Sequence, residues 1–399
     1  MKRIGTPQNT KKVGKTKMSD GKWLLFVAPF NRKKDIGLYR KTCCQSAVFG
    51  RLLDGCVLMC FTDDAIVSEK YENGVKTGER ISRIDRKWAF HSRIKTLQFA
   101  VGAELSHNKY EYLYFRDILI TKVMKDVIRK CRRTDTKIIM EIPTYPYYYE
   151  TFKGESSLIK GAIQAAERMV GDRHYYKHCD LIPVVKCVSD AKLKPNMFEM
   201  YNCVNEDLPV VSHRKKDYID IMGVGHIHHY HGYDRLIRGF ASYYAKGGQE
   251  DIRLHIIGNG DELQKLKKLS AECGTEDRVF FEGVKTGEEL AEFYRNTDLA
   301  LGTLCLFKRG ADTETAIKLS EALYQGIPVM TSGKVPMDFV GKDMIYTVPN
   351  DESDIDADKL LEFIKNRNYD ADYTQMREKL QWESLLGKML DDERLKNEE

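Results

Sequence analysis

Lys318 and Glu321 stand three residues apart in Ile317-Lys318-Leu319-Ser320-Glu321-Ala322-Leu323-Tyr324-Gln325-Gly326-Ile327-Pro328-Val329-Met330. The run reads as a helix, a one-glycine stop at Gly326 and a buried strand. A spacing of three puts the cation and the carboxylate on one helix face. A helix start that points out of an α/β sheet offers free N–H groups and a positive dipole end to phosphate. Lys318 adds a point charge for such a phosphate, and Glu321 can accept hydrogen bonds from a sugar diol. A solvated ion pair on an amphipathic helix explains the same spacing. The surrounding loops therefore decide between the two.

Three of those loops carry chemistry. Phe307–Thr315 brings Arg309 and the backbone N–H groups around Thr315 and Ala316 to the start of the helix, and a guanidinium forks two phosphate oxygens. Gly258-Asn259-Gly260-Asp261 is a tight glycine turn into another helix, where backbone can approach a ligand closely. His226-Ile227-His228-His229-Tyr230-His231 places four imidazoles in six residues. In an extended strand His226 and His228 face one way and His229 and His231 the other. With no cysteine or carboxylate pair at ligand spacing nearby, the run does not read as a zinc site. No metal is expected. Basic and glycine-rich loops converging in one half favour a nucleoside diphosphate over a structural face.

The elements that hold these loops alternate between strand and helix. Strand-like runs occur at Trp23–Ala28, Val57–Phe61, Tyr110–Phe115, Lys137–Ile142 and Leu181–Val188, and again at Tyr218–Val224, Ile252–Ile257, Val279–Glu282, Leu299–Leu304, Ile327–Thr331 and Ile345–Val348. Helical stretches separate them, as in mostly parallel, doubly wound sheets. The chain thus divides into a basic tail over 1–17, a first α/β domain over 18–211 and a second over 212–372, with a last helical segment over 373–395. Ligands in such folds bind beyond the carboxyl ends of the strands. Gly37 closes the first strand-to-helix turn, which is too irregular for a dinucleotide fingerprint.

Composition narrows the class. Net charge is +5 and much of the excess lies in the tail, which reads as disordered. No apolar run reaches the roughly 18 residues of a membrane span and no signal segment precedes the first strand, so a cytoplasmic location is expected. Contact with anionic lipid at the inner face of the plasma membrane is compatible with the basic segments. The ten cysteines lack a CxxC pair and read as free thiols.

The succession of histidine loop, His231-Gly232-Tyr233-Asp234-Arg235-Leu236, Ile256-Ile257-Gly258-Asn259-Gly260-Asp261, Arg278-Val279-Phe280-Phe281-Glu282-Gly283 and the Ile317–Met330 run resembles glycosyltransferase family 4. The resemblance spans most of residues 20–390 and includes Glu141-Ile142-Pro143-Thr144-Tyr145-Pro146-Tyr147 in the first half. It implies the GT-B fold, two Rossmann-like domains facing across a cleft, with the last helix crossing back onto the first domain. It further implies transfer of a sugar from a nucleotide-sugar donor to a glycan or lipid-linked acceptor, with retention and without a metal, as in bacterial capsule and exopolysaccharide synthesis. The nucleotide sugar would be a substrate, no cofactor is implied and no nucleic-acid partner. By the same resemblance Glu321 matches the second glutamate of the family's pair, and the first falls on Thr313, with Glu314 one position off. Lys318 and Arg309 would neutralise the diphosphate, helped by His226 and His231, with Gly37, Gly258, Gly260, Thr315 and Ala316 lining the donor. Arg116 stands where the family often has a histidine. Glu141 would contact or deprotonate the acceptor, or pair with a nearby cation, and Tyr145 and Tyr147 would line its groove. A GT-B nucleotide-sugar epimerase and a catalytically silent nucleotide-sugar-binding protein are the alternatives.

Overall fold

The computed structural model describes residues 21–84, 90–116, 123–146, 176–204, 208–211, 216–368 and 371–396. The basic tail and Tyr147 lie outside these residues. The first half runs β1 (Trp23–Asn31), α1 (Ile36–Leu52), β2 (Gly55–Phe61), β3 (Ala65–Glu72), β4 (Val75–Arg83), α2 (Phe90–His107), β5 (Tyr112–Arg116), α3 (Met124–Arg133), β6 (Lys137–Tyr145), β7 (Ile182–Lys186) and β8 (Met197–Met200). They form one sheet in the order β4-β3-β2-β1-β5-β6-β7-β8. Its apolar strands are covered on both faces, which is why they read as continuous hydrophobic runs. One core lies on each side, around Leu25, Leu97 and Phe115 on one face and Phe26, Phe49 and Tyr114 on the other.

The antiparallel hairpin β3–β4 is an addition to the strands expected from sequence. Its turn is Asn73-Gly74, with φ of 49° and 80°, the pairing that two-residue hairpins favour. β4 is exposed or half-buried along its whole length, so it carries no apolar alternation to read.

The second half runs β9 (Ile219–His226), α4 (Tyr233–Ala245), β10 (Ile252–Asn259), α5 (Leu263–Glu272), β11 (Val279–Gly283), α6 (Gly287–Asn296), β12 (Leu299–Leu301), α7 (Ile317–Tyr324), β13 (Val329–Thr331), β14 (Ile345–Thr347) and α8 (Ala357–Lys365). Every strand pair is parallel, in the order β11-β10-β9-β12-β13-β14. That is the Rossmann order, whose direction reverses between β9 and β12. In the first sheet the reversal falls between β1 and β5. Crevices form at such points, so each domain presents its ligand-accepting edge there.

Two α-helices follow among the described residues. α9 (Thr374–Lys379) seats Met376 in the second domain's core. α10 (Trp382–Leu390) crosses to the first, where Trp382, Leu385, Leu386 and Met389 join the cluster around Phe26. The crossing is pinned where Val204 N–H donates to Leu380 O at 2.9 Å and Trp382 N–H to Val204 O at 3.3 Å. None of the ten cysteines is in a disulfide. Among the described residues no helix is long and apolar enough to cross a membrane.

Candidate active site

The three loops singled out by their residues leave the sheet beside the β9/β12 reversal and are stitched to one another by backbone. Ile227 N–H donates to Asn259 O at 2.6 Å, Leu304 N–H to His231 O at 3.1 Å and Cys305 N–H to Tyr230 O at 3.1 Å. Glycines permit this closeness. A Cβ on Gly260, whose φ is +150°, would lie 2.1 Å from Ile227 O, and one on Gly258 would lie 1.8 Å from Gly225 O. The buried Arg235 of α4 reaches Leu304 O from below. The loops form one pre-shaped rim.

Four charged groups line it. Arg309 ends a short 3-10 turn and lies 4.9 Å over the Tyr230 ring; burial lowers its pKa while Glu314 opposes the shift. Lys318, in the first turn of α7, approaches the Tyr233 hydroxyl at 3.4 Å. Burial lowers its pKa to about 8, against the pull of Glu314. Burial also raises Glu321 to about 7, and among the described residues no group hydrogen-bonds or ion-pairs with its carboxylate. Glu314 is 1% exposed. Its carboxylate accepts N–H bonds from Thr303 at 2.5 Å and from Thr315 and Ala316 at 3.0 Å each.

That last arrangement corrects the expected role of Thr315 and Ala316. Their amides are occupied by Glu314, so the carboxylate already stands at the helix start where an anion would be drawn. The position expected for the first glutamate holds Thr313, buried and donating its hydroxyl to Asp312 at 2.9 Å. The buried acid is its neighbour Glu314.

The histidines also depart from the alternation expected of a strand. β9 ends at His226 and the chain turns through His229–His231, so the His228 ring sits 4.6 Å from that of His226 and 6.1 Å from that of His231. His231 is buried and accepts the His228 N–H at 2.9 Å on Nδ1. Burial, followed by the Lys318 charge, pushes its pKa down to about 2. It is therefore a neutral imidazole with its proton on Nε2, a hydrogen-bond donor rather than a cation. A carboxylate does approach the histidines: Asp261 Oδ1 lies 3.2 Å from His228 Nδ1.

Across the domain boundary, the end of β5 and the middle of β6 bring Arg116 and Glu141 together as a buried ion pair. Glu141 also accepts from the Tyr114 hydroxyl at 2.8 Å and lies 3.6 Å from Lys41 Nζ on α1. Burial alone would raise the Glu141 pKa, but Arg116 and Lys41 outweigh it and hold the carboxylate ionised. Lys41 is itself pushed down to about 8, chiefly by burial. It donates to Asn202 Oδ1 at 2.7 Å, and Asn202 Nδ2 donates to Thr315 O at 2.5 Å. The Glu141 network thus connects through two side chains to the segment that opens α7. Next to it, Asp312 accepts from Ser189 N–H and hydroxyl at 2.6 Å each, and Lys334 Nζ bonds the Ser189 hydroxyl at 2.8 Å. Lys41, Asn202 and Ser189 carried no readable signal, since each acts only through a distant partner. Gly37 lies in the exposed first turn of α1, away from these contacts. Tyr145 donates its hydroxyl to Lys192 O at 3.2 Å.

The chain is similar to known proteins in part of its sequence and in its fold. The curated relative mannosylfructose-phosphate synthase of Agrobacterium fabrum is 24% identical over 165 residues, covering 37% of this chain and 34% of its own length. The chain thus spans about a third of that relative. A Rickettsia africae glycosyltransferase structure superposes with a TM-score of 0.60 at 11% identity, over 95% of this chain and all of that one. The Anabaena protein HepE, solved in complex with UDP, gives a TM-score of 0.52 at 12% identity over 92% of this chain and 94% of its own. Residues 204–380 match the family Glycosyl transferases group 1, and these bounds fall where Val204 meets Leu380. Over residues 204–380 the chain therefore matches a Glycosyl transferases group 1 domain, and its fold is that of the GT-B glycosyltransferases.

Proposed function

We propose that the protein transfers a sugar from a nucleoside-diphosphate donor to a glycan or lipid-linked acceptor with retention of configuration, in polysaccharide synthesis such as that of capsule. The observation that carries the reading is the meeting of Lys318, Arg309, neutral His231 and the unpartnered Glu321 at the reversal point of one sheet, opposite the Arg116–Glu141–Lys41 network of the other. In this reading Glu321 accepts hydrogen bonds from the ribose hydroxyls. Lys318, Arg309 and the His231 Nε2–H meet the charge that grows on the diphosphate as the bond from sugar C1 to the phosphate oxygen breaks; preorganised donors aimed at developing charge are the largest lever available. The acceptor oxygen bonds to C1 on the same face, and its proton passes to the leaving phosphate. Two side-chain cations suffice for that charge without a metal. Glu141, enclosed by two cations and a tyrosine, anchors Arg116 at the cleft wall rather than receiving a proton. Tyr145 belongs to the acceptor side. The work is done in the cytoplasm, with the basic surface allowing contact with the inner face of the membrane.

Calorimetric titration of UDP and GDP into the protein and its Lys318→Ala and Glu321→Ala variants tests the site. Each variant should lose about tenfold or more in affinity for the nucleotide that binds the parent, with unchanged circular dichroism. Parental affinity in both variants would remove the assignment.

A further inference from the structure

We propose that His226, His228 and Asp261 form a binding site for a divalent transition-metal ion of the zinc class, clamping the loop after β9 to the loop after β10. One ligand atom from each of the three residues lies within 4.8 Å of the others. The register explains the meeting: His226 pairs with Asn259 where the two parallel strands end. Beyond that pair, His228 and Asp261 continue the two chains by two residues each, while the intervening Ile227 is fully buried on the opposite side. Gly260 takes the place between Asn259 and Asp261 because no Cβ fits against Ile227 O. Side chains at 226, 228, 259 and 261 therefore emerge together, held by the Ile227 N–H bond to Asn259 O.

The donor set suits the ion. Two imidazoles and one carboxylate match the preferences of zinc and its neighbours rather than magnesium or calcium, which take oxygen ligands. Asn259 Oδ1 lies 2.9 Å from His226 Nδ1, an outer partner of the kind that orients a metal-bound imidazole and leaves its Nε2 lone pair for the ion. Asp261 is the group that distinguishes a built site from a run of histidines. It comes from another loop, and its Oδ1 already stands 3.2 Å from His228 Nδ1. Three protein ligands leave a position open, as in sites that exchange an oxygen ligand. Of the residues expected at the donor diphosphate only His226 belongs to the set; Lys318, Arg309 and Glu321 do not.

The test is titration of the chelator-stripped full chain with Zn²⁺ at neutral pH by calorimetry, with Co²⁺ as a visible-spectrum probe and the thermal midpoint read alongside. One ion per chain, a Co²⁺ spectrum of low-coordinate type and a metal-dependent rise in midpoint are expected. Asp261→Asn and His228→Ala should each weaken binding on the order of 100-fold, and Asn259→Ala about 10-fold. His229→Ala, at an exposed histidine outside the set, should bind as the parent does. Each variant's metal-free circular dichroism and midpoint show whether it is folded. If Asp261→Asn keeps parental affinity, or if His229→Ala weakens binding as much as His228→Ala, the histidines chelate adventitiously and the proposed site falls. Absence of stoichiometric binding to the parent would also end it.

Discussion

Glu314 and Glu321 lie seven positions apart near one cleft, yet their surroundings give them different tasks. Glu314 is saturated by three backbone N–H groups, so it organises the helix start. Glu321 is desolvated and has no partner among the described residues, which suits a carboxylate that waits for a hydroxyl-bearing ligand. Glu314→Ala should leave the Thr303 N–H buried without an acceptor and release those of Thr315 and Ala316. The expected loss is about 2–4 kcal/mol in urea unfolding. Glu321 and Lys318 together predict a pH window for nucleotide binding. Glu321 is ionised, and able to accept from both ribose hydroxyls, only above about 7, and Lys318 keeps its charge only below about 8. Nucleoside-diphosphate affinity should therefore peak between these values, tending to a fall of about tenfold per pH unit on each side. Titration calorimetry from pH 5 to pH 10 checks this, and a flat profile would separate the two groups from binding.

The rim around these residues is built from short loops whose backbones touch. Gly258 and Gly260 serve that contact by lacking a Cβ and by adopting φ values of 130° and 150°. Gly260→Ala would force the Ile227 carbonyl away, and the left-handed backbone itself disfavours alanine. Destabilisation of about 1–3 kcal/mol is expected, together with weaker nucleotide binding as the histidine loop shifts. Chemical denaturation and calorimetry on the one variant measure both; a neutral result would mean the loops are not held by this contact. In contrast, a Cβ at Gly37 would stand in open space, so its substitution serves as a control for the stability measurement alone.

The whole molecule depends on a crossing. α10 leaves the second domain and supplies Trp382 to the core of the first, where it is 2% exposed and lies beneath Lys41 Nζ at 5.0 Å from its ring. Trp382→Ala should cost about 3–5 kcal/mol, with hydrogen exchange rising in α1 and β1 before the second sheet. Because Lys41 also reaches Asn202, and Asn202 reaches Thr315, the same substitution should weaken nucleotide binding at a distance. Equal protection in both domains would show that the crossing does not couple them.

Much of this protein is written locally. The parallel strands are continuous apolar runs, helix stops such as Gly326 follow from backbone sterics, and Lys318 and Glu321 share a face because of helical spacing. Those signals act over a few residues, so the two α/β halves, most of their strands and the chief cations were legible. The β3–β4 hairpin escaped because its outer strand has no buried face, although Asn73-Gly74 marks the turn. The contacts that define the site span far longer separations: 33 residues from His228 to Asp261, 113 from Asn202 to Thr315 and 161 from Lys41 to Asn202. Strand register and domain docking set them, and no local pattern encodes either. Tertiary structure alone decided that Glu314 closes the helix start, that His231 is neutral, and that a carboxylate meets the histidines.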